Sequence, residues 1–159
     1  MNTQKIRILF ICMGNICRSP SAEGVMRKLI DDAGLASRIE IDSAGTHAYH
    51  VGAAPDRRSQ AAAKVRGYDL SALRARQVSP DDFEKFDLLL AMDKENLALL
   101  KRQCANLSQA SQEKLHLMME YASKSSASEV PDPYYEGEQG FELVLDYLED
   151  ACAGLLKKL

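Results

Sequence analysis

Residues 6–20 read IRILFICMGNICRSP, and this run constrains the fold more than any other part of the chain. Ile6–Ile11 is apolar apart from Arg7 and rich in Ile and Phe, the pattern of a strand buried on both faces. It passes straight into Cys12, then five residues, then Arg18-Ser19-Pro20 and a helical pattern. A strand that cannot face water, followed at once by a helix, is the opening of a layered α/β structure. Cys12 then stands at the carboxyl end of its first strand.

The alternation continues along the chain. Ser21–Asp32 places Ala22, Val25, Met26, Leu29 and Ile30 on one helical face, and Gly34 stops it. Ile39–Ser43 reads as a second strand, residues 44–55 as a Gly/Ala-rich loop, and Ser59–Val65 as a helix ended by Gly67. Phe86–Met92 (FDLLLAM) is a third strand, and Asp93 caps a helix from Lys94 to about Cys104. Lys114–Met119 is a shorter fourth strand, and residues 121–140 are rich in Ser, Pro and Gly. Phe141–Lys158 is a long amphipathic helix with Lys157 and Lys158 near its negative end. Strands separated by helices predict a parallel sheet covered on both faces, three layers in all. With no internal repeat and no dividing linker, residues 1–159 are read as a single domain. Such sheets bind ligands beyond the carboxyl ends of their strands, near a reversal of strand order.

The residues after Cys12 suit an oxyanion. Gly14 lets the backbone approach a ligand closely, and Asn15 tolerates the left-handed conformation that curls a loop. Successive N–H groups over residues 13–18 would converge on one anion, joined by the positive end of the helix starting near Pro20. The planar guanidinium of Arg18 matches two phosphate oxygens at once. All of these favour a thiolate at Cys12, the nucleophilic form of cysteine. Ser19 is placed to donate to the sulfur. A cysteine at a strand end, taken alone, is usually a packing thiol; the whole string CMGNICRSP behind a buried strand makes it a candidate nucleophile. Neither GxxxxGK[ST] nor GxGxxG occurs, so the competing phosphate loops are absent.

Composition narrows the function classes. A chain of 159 residues, 46% hydrophobic and 27% charged, is ordinary for a soluble globular protein with its own core. A net charge of −3 argues against nucleic acid as a partner, because sequence-independent binding needs many Lys and Arg contacts to phosphates. No apolar run is long enough to cross a bilayer, and the short first run ends in Gly-Asn-Ile-Cys-Arg rather than a cleavage site. The expectation is a cytoplasmic protein with no membrane partner. Cys12, Cys17, Cys104 and Cys152 are then thiols rather than a disulfide framework. No CxxC pair or Cys/His cluster exists, so no metal and no cofactor are expected. Cys104 and Cys152 read as structural, and Met118 and Met119 as core. His47, His50 and His116 show no ligand spacing and receive no role.

Four strings, FICMGNICRSPSAEG at 10–24, IDSAGT at 41–46, AMD at 91–93 and PDPYYEG at 131–137, resemble the low-molecular-weight protein tyrosine phosphatases. They span most of the chain in the expected order. The resemblance implies a flavodoxin-like fold with a four-stranded parallel sheet. It also implies hydrolysis of phosphotyrosine in proteins, and of small aryl phosphates, through a phosphocysteine intermediate without a metal. Cys12 would be the nucleophile. Met13, Gly14, Asn15, Ile16, Cys17 and Arg18 would hold the phosphate. A departing phenolate needs a proton, and Asp132, between two prolines that stiffen and extend its segment, is the candidate acid and subsequent base; the family's general acid lies in the same DPY segment.

Ile16, Tyr49 and Tyr134 are read as walls around the substrate ring. Tyr135 stands beside them as a further wall, a core residue or a phosphorylation target. Asn15, Ser19 and Ser43 resemble the family's network bracing the loop. Many members carry a His ahead of an ARQ-like triplet; Ala75-Arg76-Gln77 is present, and the matching position is Leu73. Asp93 is primarily a helix cap, with steering of Arg18 as a second reading, and Glu23 sits early in its helix, where negative charge is favourable. Cys17 is close enough in the curled loop to form a reversible disulfide with Cys12, shielding it from irreversible oxidation.

Three rivals are weaker. An arsenate reductase needs two further redox cysteines after the third strand, where Met92 stands and Cys104 comes too late. A protein-arginine phosphatase tends to carry Thr before the second loop cysteine, where this chain has Ile16. A phosphate-binding module without turnover has no need of Cys12, Arg18 and Asp132 together. The expected partner is a phosphotyrosine-containing protein, by family analogy a bacterial tyrosine kinase, with phosphate and other oxyanions as competitive ligands.

Overall fold

The computed structural model describes residues 5–134 and 136–159; Tyr135 lies outside the described residues, and so do the three readings of it. The first strand, β1 (Ile6–Cys12), has parallel neighbours on both edges: β2 (Ile39–Gly45) on one side and β3 (Leu88–Ala91) on the other, with β4 (Leu115–Leu117) beyond β3. The order β2-β1-β3-β4 is the flavodoxin-like one. The helices are α1 (Arg18–Asp32), α2 (Arg57–Val65), α3 (Asp82–Lys85), α4 (Lys94–Gln103), α5 (Gln109–Gln112) and α6 (Glu138–Lys157).

Ile8 to Ile11 are fully buried because alternate residues enter two different cores. Ile8, Phe10 and Cys12 join Val25, Met26 and Ile30 of α1 and Val144, Leu145 and Leu148 of α6. Leu9 and Ile11 join Phe83 of α3, Phe86 and Leu100 of α4. Each such side chain contributes about 1.5–3 kcal/mol by leaving water, so the strand that ends in Cys12 is the most firmly anchored segment of the sheet. From β1 the chain steps outward to β2, then crosses back to β3 on the other edge. The connections leaving β1 and β3 therefore diverge, and a cleft opens in front of Cys12.

The element boundaries differ from the sequence expectation in instructive ways. Helix α1 begins at Arg18 rather than Ser21, with Cys17 at its N-cap and no side-chain cap. The curled loop runs directly into the helix, so the helix's positive end adjoins the loop. Strand β3 is shorter than the apolar run Phe86–Met92. Phe86 closes α3, its N–H donating to Asp82 O, and the Asp87 carboxylate accepts from the Arg7 N–H at 2.8 Å. Strand β4 stops at Leu117, and Met118–Tyr121 turn as a 3-10 helix that buries Met118 and Met119. Helix α6 starts at Glu138, three residues before its first buried side chain, Phe141. The single-turn helices α3 and α5 are too short to show periodicity.

Candidate active site

Cys12 pairs in register with Gly45 at the carboxyl edge of the sheet. A Cβ on Gly45 would stand 2.7 Å from Met13 O and 3.2 Å from Gly14 C, so the loop can pass only over a glycine. The segment after Gly45 then ties down the loop's carbonyls. Thr46 N–H donates to Cys12 O at 2.9 Å, His47 N–H to Met13 O at 3.0 Å and Asp56 N–H to Ile16 O at 2.8 Å. The carbonyls of Cys12, Met13 and Ile16 are thus held by the following segment, on which the curl of the loop depends.

Asn15 is the pivot. It is in the left-handed region, φ 59°, as expected from its type. Its Nδ2 donates to Ser19 Oγ at 2.8 Å and to Ser43 Oγ at 3.0 Å, and its Oδ1 accepts from the Arg76 N–H at 3.0 Å. Its own N–H points at Cys12 Sγ, 3.3 Å away. Ser19 Oγ lies 3.0 Å from Sγ and 3.5 Å from Ala44 O. With Cys12 as a thiolate, which can only accept, the Ser19 proton goes to the sulfur, the nearer of its two acceptors. Ser43 in turn donates to Glu23 Oε1 at 2.7 Å. The predicted trio Asn15, Ser19 and Ser43 is thus brought together, and Glu23 extends it. Glu23 is only 6% exposed; burial, aided by Asp42, pushes its carboxyl above the usual range against the pull of Ser43, Arg27 and Arg76.

Arg18 is 2% exposed and is held from two sides. Its Nη1 donates to Asp93 Oδ2 at 2.6 Å and to Val130 O at 3.1 Å. Burial would lower its pKa, but the charges of Cys12, Asp93 and Asp132 outweigh that and hold the guanidinium above its ordinary value. Asp93 caps α4 as expected, Oδ1 accepting from the Asn96 N–H at 2.7 Å. The steering of Arg18, ranked second from sequence, is made by its other oxygen at the same time. Val130 N–H donates to Met92 O at 2.8 Å, so one residue ties the acid segment both to the end of β3 and to Arg18. Two residues on, Asp132 Oδ2 lies 3.7 Å from Arg18 Nη2, and its Oδ1 accepts from the Tyr134 N–H at 3.0 Å, an Asx turn.

In front of Cys12 lies a cavity of about 380 Å³, which Asn15 and Ser19 brace from behind without lining it. Cys12, Met13, Gly14, Cys17 and Arg18 contribute to it, with Ile16, Tyr49, Tyr134 and Asp132. Tyr49 is 70% exposed and stacks on His47, ring centroids 5.0 Å apart. His50, given no role from sequence, also lines the cavity: a Cβ on Gly14 would meet its Cδ2 at 2.9 Å. Gly14 therefore makes room for a neighbouring ring, a need its sequence position did not reveal. Arg58, held by Asp56 at 3.0 Å, sits over the rings of Tyr134 (5.4 Å) and Phe141 (4.7 Å), linking α2, the acid segment and α6. Residues this far apart in sequence carry no shared signal. Cys17 is buried, and burial pushes its thiol up to about 12 despite a hydrogen bond from Ser59.

The same architecture is found in known proteins. Residues 7–159 match the family model for low molecular weight phosphotyrosine protein phosphatase. The low molecular weight phosphotyrosine protein phosphatase of Schizosaccharomyces pombe is 43% identical over 158 residues, covering 99% of each chain. A protein tyrosine phosphatase from Entamoeba histolytica, solved with Hepes in its active site, has a TM-score of 0.92 at 42% identity, over 97% of this chain and 96% of that one. DARP, an arginine phosphatase of Drosophila, has a TM-score of 0.89 at 31% identity, over 96% and 97%. A match that runs from the first strand through the last helix, at this identity, leaves one assignment: the chain belongs to the low molecular weight phosphotyrosine protein phosphatase family.

Proposed function

We propose that this protein hydrolyses phosphotyrosine in proteins, and small aryl phosphates, with Cys12 as nucleophile and Asp132 as general acid and base. The observation that carries the reading is the setting of Cys12 Sγ, which receives Asn15 N–H at 3.3 Å and Ser19 O–H at 3.0 Å beside a buried Arg18. The phosphoryl oxygens rest on the N–H groups of residues 13–18. Asp93 and Val130 hold Nη1 of Arg18, so Nη2 and Nε form the fork on the phosphate. The Cys12 thiolate attacks phosphorus in line; the S–P bond forms as the bond to the phenolic oxygen breaks, and Asp132 gives that oxygen its proton. Asp132, now a carboxylate, takes a proton from water as the water oxygen attacks phosphorus. The S–P bond breaks, the thiolate returns to Ser19 and Asn15, and phosphate leaves. Rate enhancement comes mainly from positioning and from dipoles set before the substrate arrives.

Ile16, Tyr49 and Tyr134 form the apolar surround for an aryl ring, which favours phosphotyrosine over phosphoarginine. A cytoplasmic setting, a bacterial tyrosine kinase as substrate by family analogy, phosphate and other oxyanions as competitive ligands, and a protective Cys12–Cys17 disulfide complete the reading. Turnover of p-nitrophenyl phosphate, a phosphotyrosine peptide and a phosphoarginine peptide, with wild type and Cys12→Ser, tests it. The expected order is phosphotyrosine far above phosphoarginine, with no turnover in Cys12→Ser and an unchanged melting temperature. Residual turnover in Cys12→Ser, or phosphoarginine as the faster substrate, would overturn it.

A further inference from the structure

Helices α2 and α6 pack against each other, and a groove of about 290 Å³ lies between them. Arg58, Ala61 and Val65 line it from one face of α2, where the 3.6-residue repeat aligns them. Phe141, Glu138 and Glu142 line it from α6. Val65 is 87% exposed, more than any other large hydrophobic side chain described, and buried Phe141 closes the groove on the inside. The small side chain of Ala61 leaves the space between them open. Two of the three charged groups are already paired, Arg58 with Asp56 at 3.0 Å and Glu142 with Arg66 at 2.6 Å. Among the described residues, no ion pair or hydrogen bond engages the side chain of Glu138. The groove is therefore an apolar slot with one unbalanced negative charge at its edge. It also adjoins the cavity in front of Cys12. The guanidinium carbon of Arg58 lies 5.4 Å from the ring of Tyr134, a wall of that cavity, and 4.7 Å from the ring of Phe141. The two rings are thus within about 10 Å of each other, the rise of three extended residues.

We propose that this groove docks the chain flanking the phosphotyrosine of a protein substrate, taking an aliphatic side chain three residues from it and a neighbouring Lys or Arg on Glu138. The inference rests on the phosphatase reading and adds to it which substrates are preferred. A phosphotyrosine seated against Cys12 brings its own backbone out at the rim beside Tyr134. In a polyproline-II-like extended chain, side chains three residues apart face the same side, about 9 Å from each other. Such a chain crosses Arg58, which Asp56 holds in place through Nε and Nη2, and presents its third side chain to Val65 and Phe141. That contact is the same in the ground state and the transition state, so it acts on KM rather than on kcat.

The test uses p-nitrophenyl phosphate, a phosphotyrosine peptide flanked by alanines, and the same peptide with Leu three residues before or three residues after the phosphotyrosine, Lys standing next to it. With wild type, Leu and Lys on one of the two sides should lower KM about tenfold and leave kcat unchanged. Ala61→Phe fills the groove, and Val65→Lys sets a cation at its mouth. Each should return KM to the value for the alanine peptide and leave turnover of p-nitrophenyl phosphate as in wild type. Val65→Lys puts a better helix former at an exposed position and serves if the phenylalanine variant does not fold. Equal KM for all the peptides, a preference that survives in both variants, or a parallel loss on p-nitrophenyl phosphate would each overturn the proposal. So would a dimer in sedimentation that Val65→Lys dissociates, because the groove would then belong to a second copy of this chain. No turnover of any phosphotyrosine peptide would overturn the phosphatase reading and the docking groove with it, whereas turnover without preference would overturn the groove alone.

Discussion

Asn15, Arg18 and Ser19 are almost fully buried, whereas Asp132, across the cleft, has 45% of its side chain exposed. The loop that carries Cys12 is held along its length: its carbonyls by the segment after Gly45, its side chains by Ser43 and the Arg76 N–H, its guanidinium by Asp93 and Val130. The acid segment is held on either side of Asp132, at Val130 by Arg18 and Met92 and at Tyr134 by Arg58, while Asp132 itself is shaped by its own Asx turn. The difference suits the two tasks that the proposed mechanism assigns. An anion cup is worth most when its dipoles are already in place, because nothing then reorganises as charge develops. An acid that must protonate a leaving group and then deprotonate water needs access to both.

After the nucleophile itself, replacing the acid should give the largest effect. Asp132→Ala is expected to slow phenyl phosphate turnover by about 10²–10³-fold and p-nitrophenyl phosphate much less, since a good leaving group needs little protonation. Equal slowing of the two esters would remove Asp132 from the acid role and leave the cup as the whole site. Within the cup, Asn15→Gly keeps the left-handed backbone but deletes the side-chain bonds, and kcat should fall about 10–10²-fold. Asn15→Ala should be less stable than Asn15→Gly by about 1 kcal/mol in urea titrations, because alanine resists that backbone conformation. Equal stability would mean that strain plays no part.

Cys17 sharpens the comparison on the redox side. After peroxide, wild type should recover activity with dithiol and Cys17→Ser should not. Because burial holds the Cys17 thiol at about 12, disulfide closure should be slow at neutral pH and quicken about tenfold per pH unit. A closure rate independent of pH would exclude Cys17 as the attacking thiol. The smallest effect concerns Glu23. Its folded pKa is raised, chiefly by burial, so the folded chain keeps a proton that the unfolded chain has lost. The stability this provides is complete below the ordinary glutamate pKa and is lost as pH climbs through the folded value. Relative to wild type, Glu23→Gln should therefore gain stability as pH rises through that window. A difference that does not vary with pH would show that Glu23 stays ionised throughout.

The strands and long helices were legible because burial on both faces and 3.6-residue spacing leave a mark in any short window. The same reading overextended β3, since an apolar run cannot tell a strand from the residues that close α3. Asp93 shows the limit in one residue. Its capping of α4 involves a neighbour three positions away, but its contact with Arg18 spans 75 positions. His50, the Arg58 contacts with Tyr134 and Phe141, and the Val130 carbonyl were invisible for the same reason, the last being 112 residues from its donor.

What the sequence alone determined is the cup: Cys12 through Ser19 are contiguous, and their curl follows from the local preferences of glycine, asparagine and a helix start, all short-range forces. Asp132 and the rings of Tyr49 and Tyr134 were also named from sequence, through the resemblance. Only the folded chain decided that Val130 holds Arg18 beside Asp93, that His50 faces Gly14, and that a nearly buried glutamate backs the loop. Those depend on the order of strands in the sheet, and strand order is set by the joint burial of distant apolar segments rather than by any residue's neighbours.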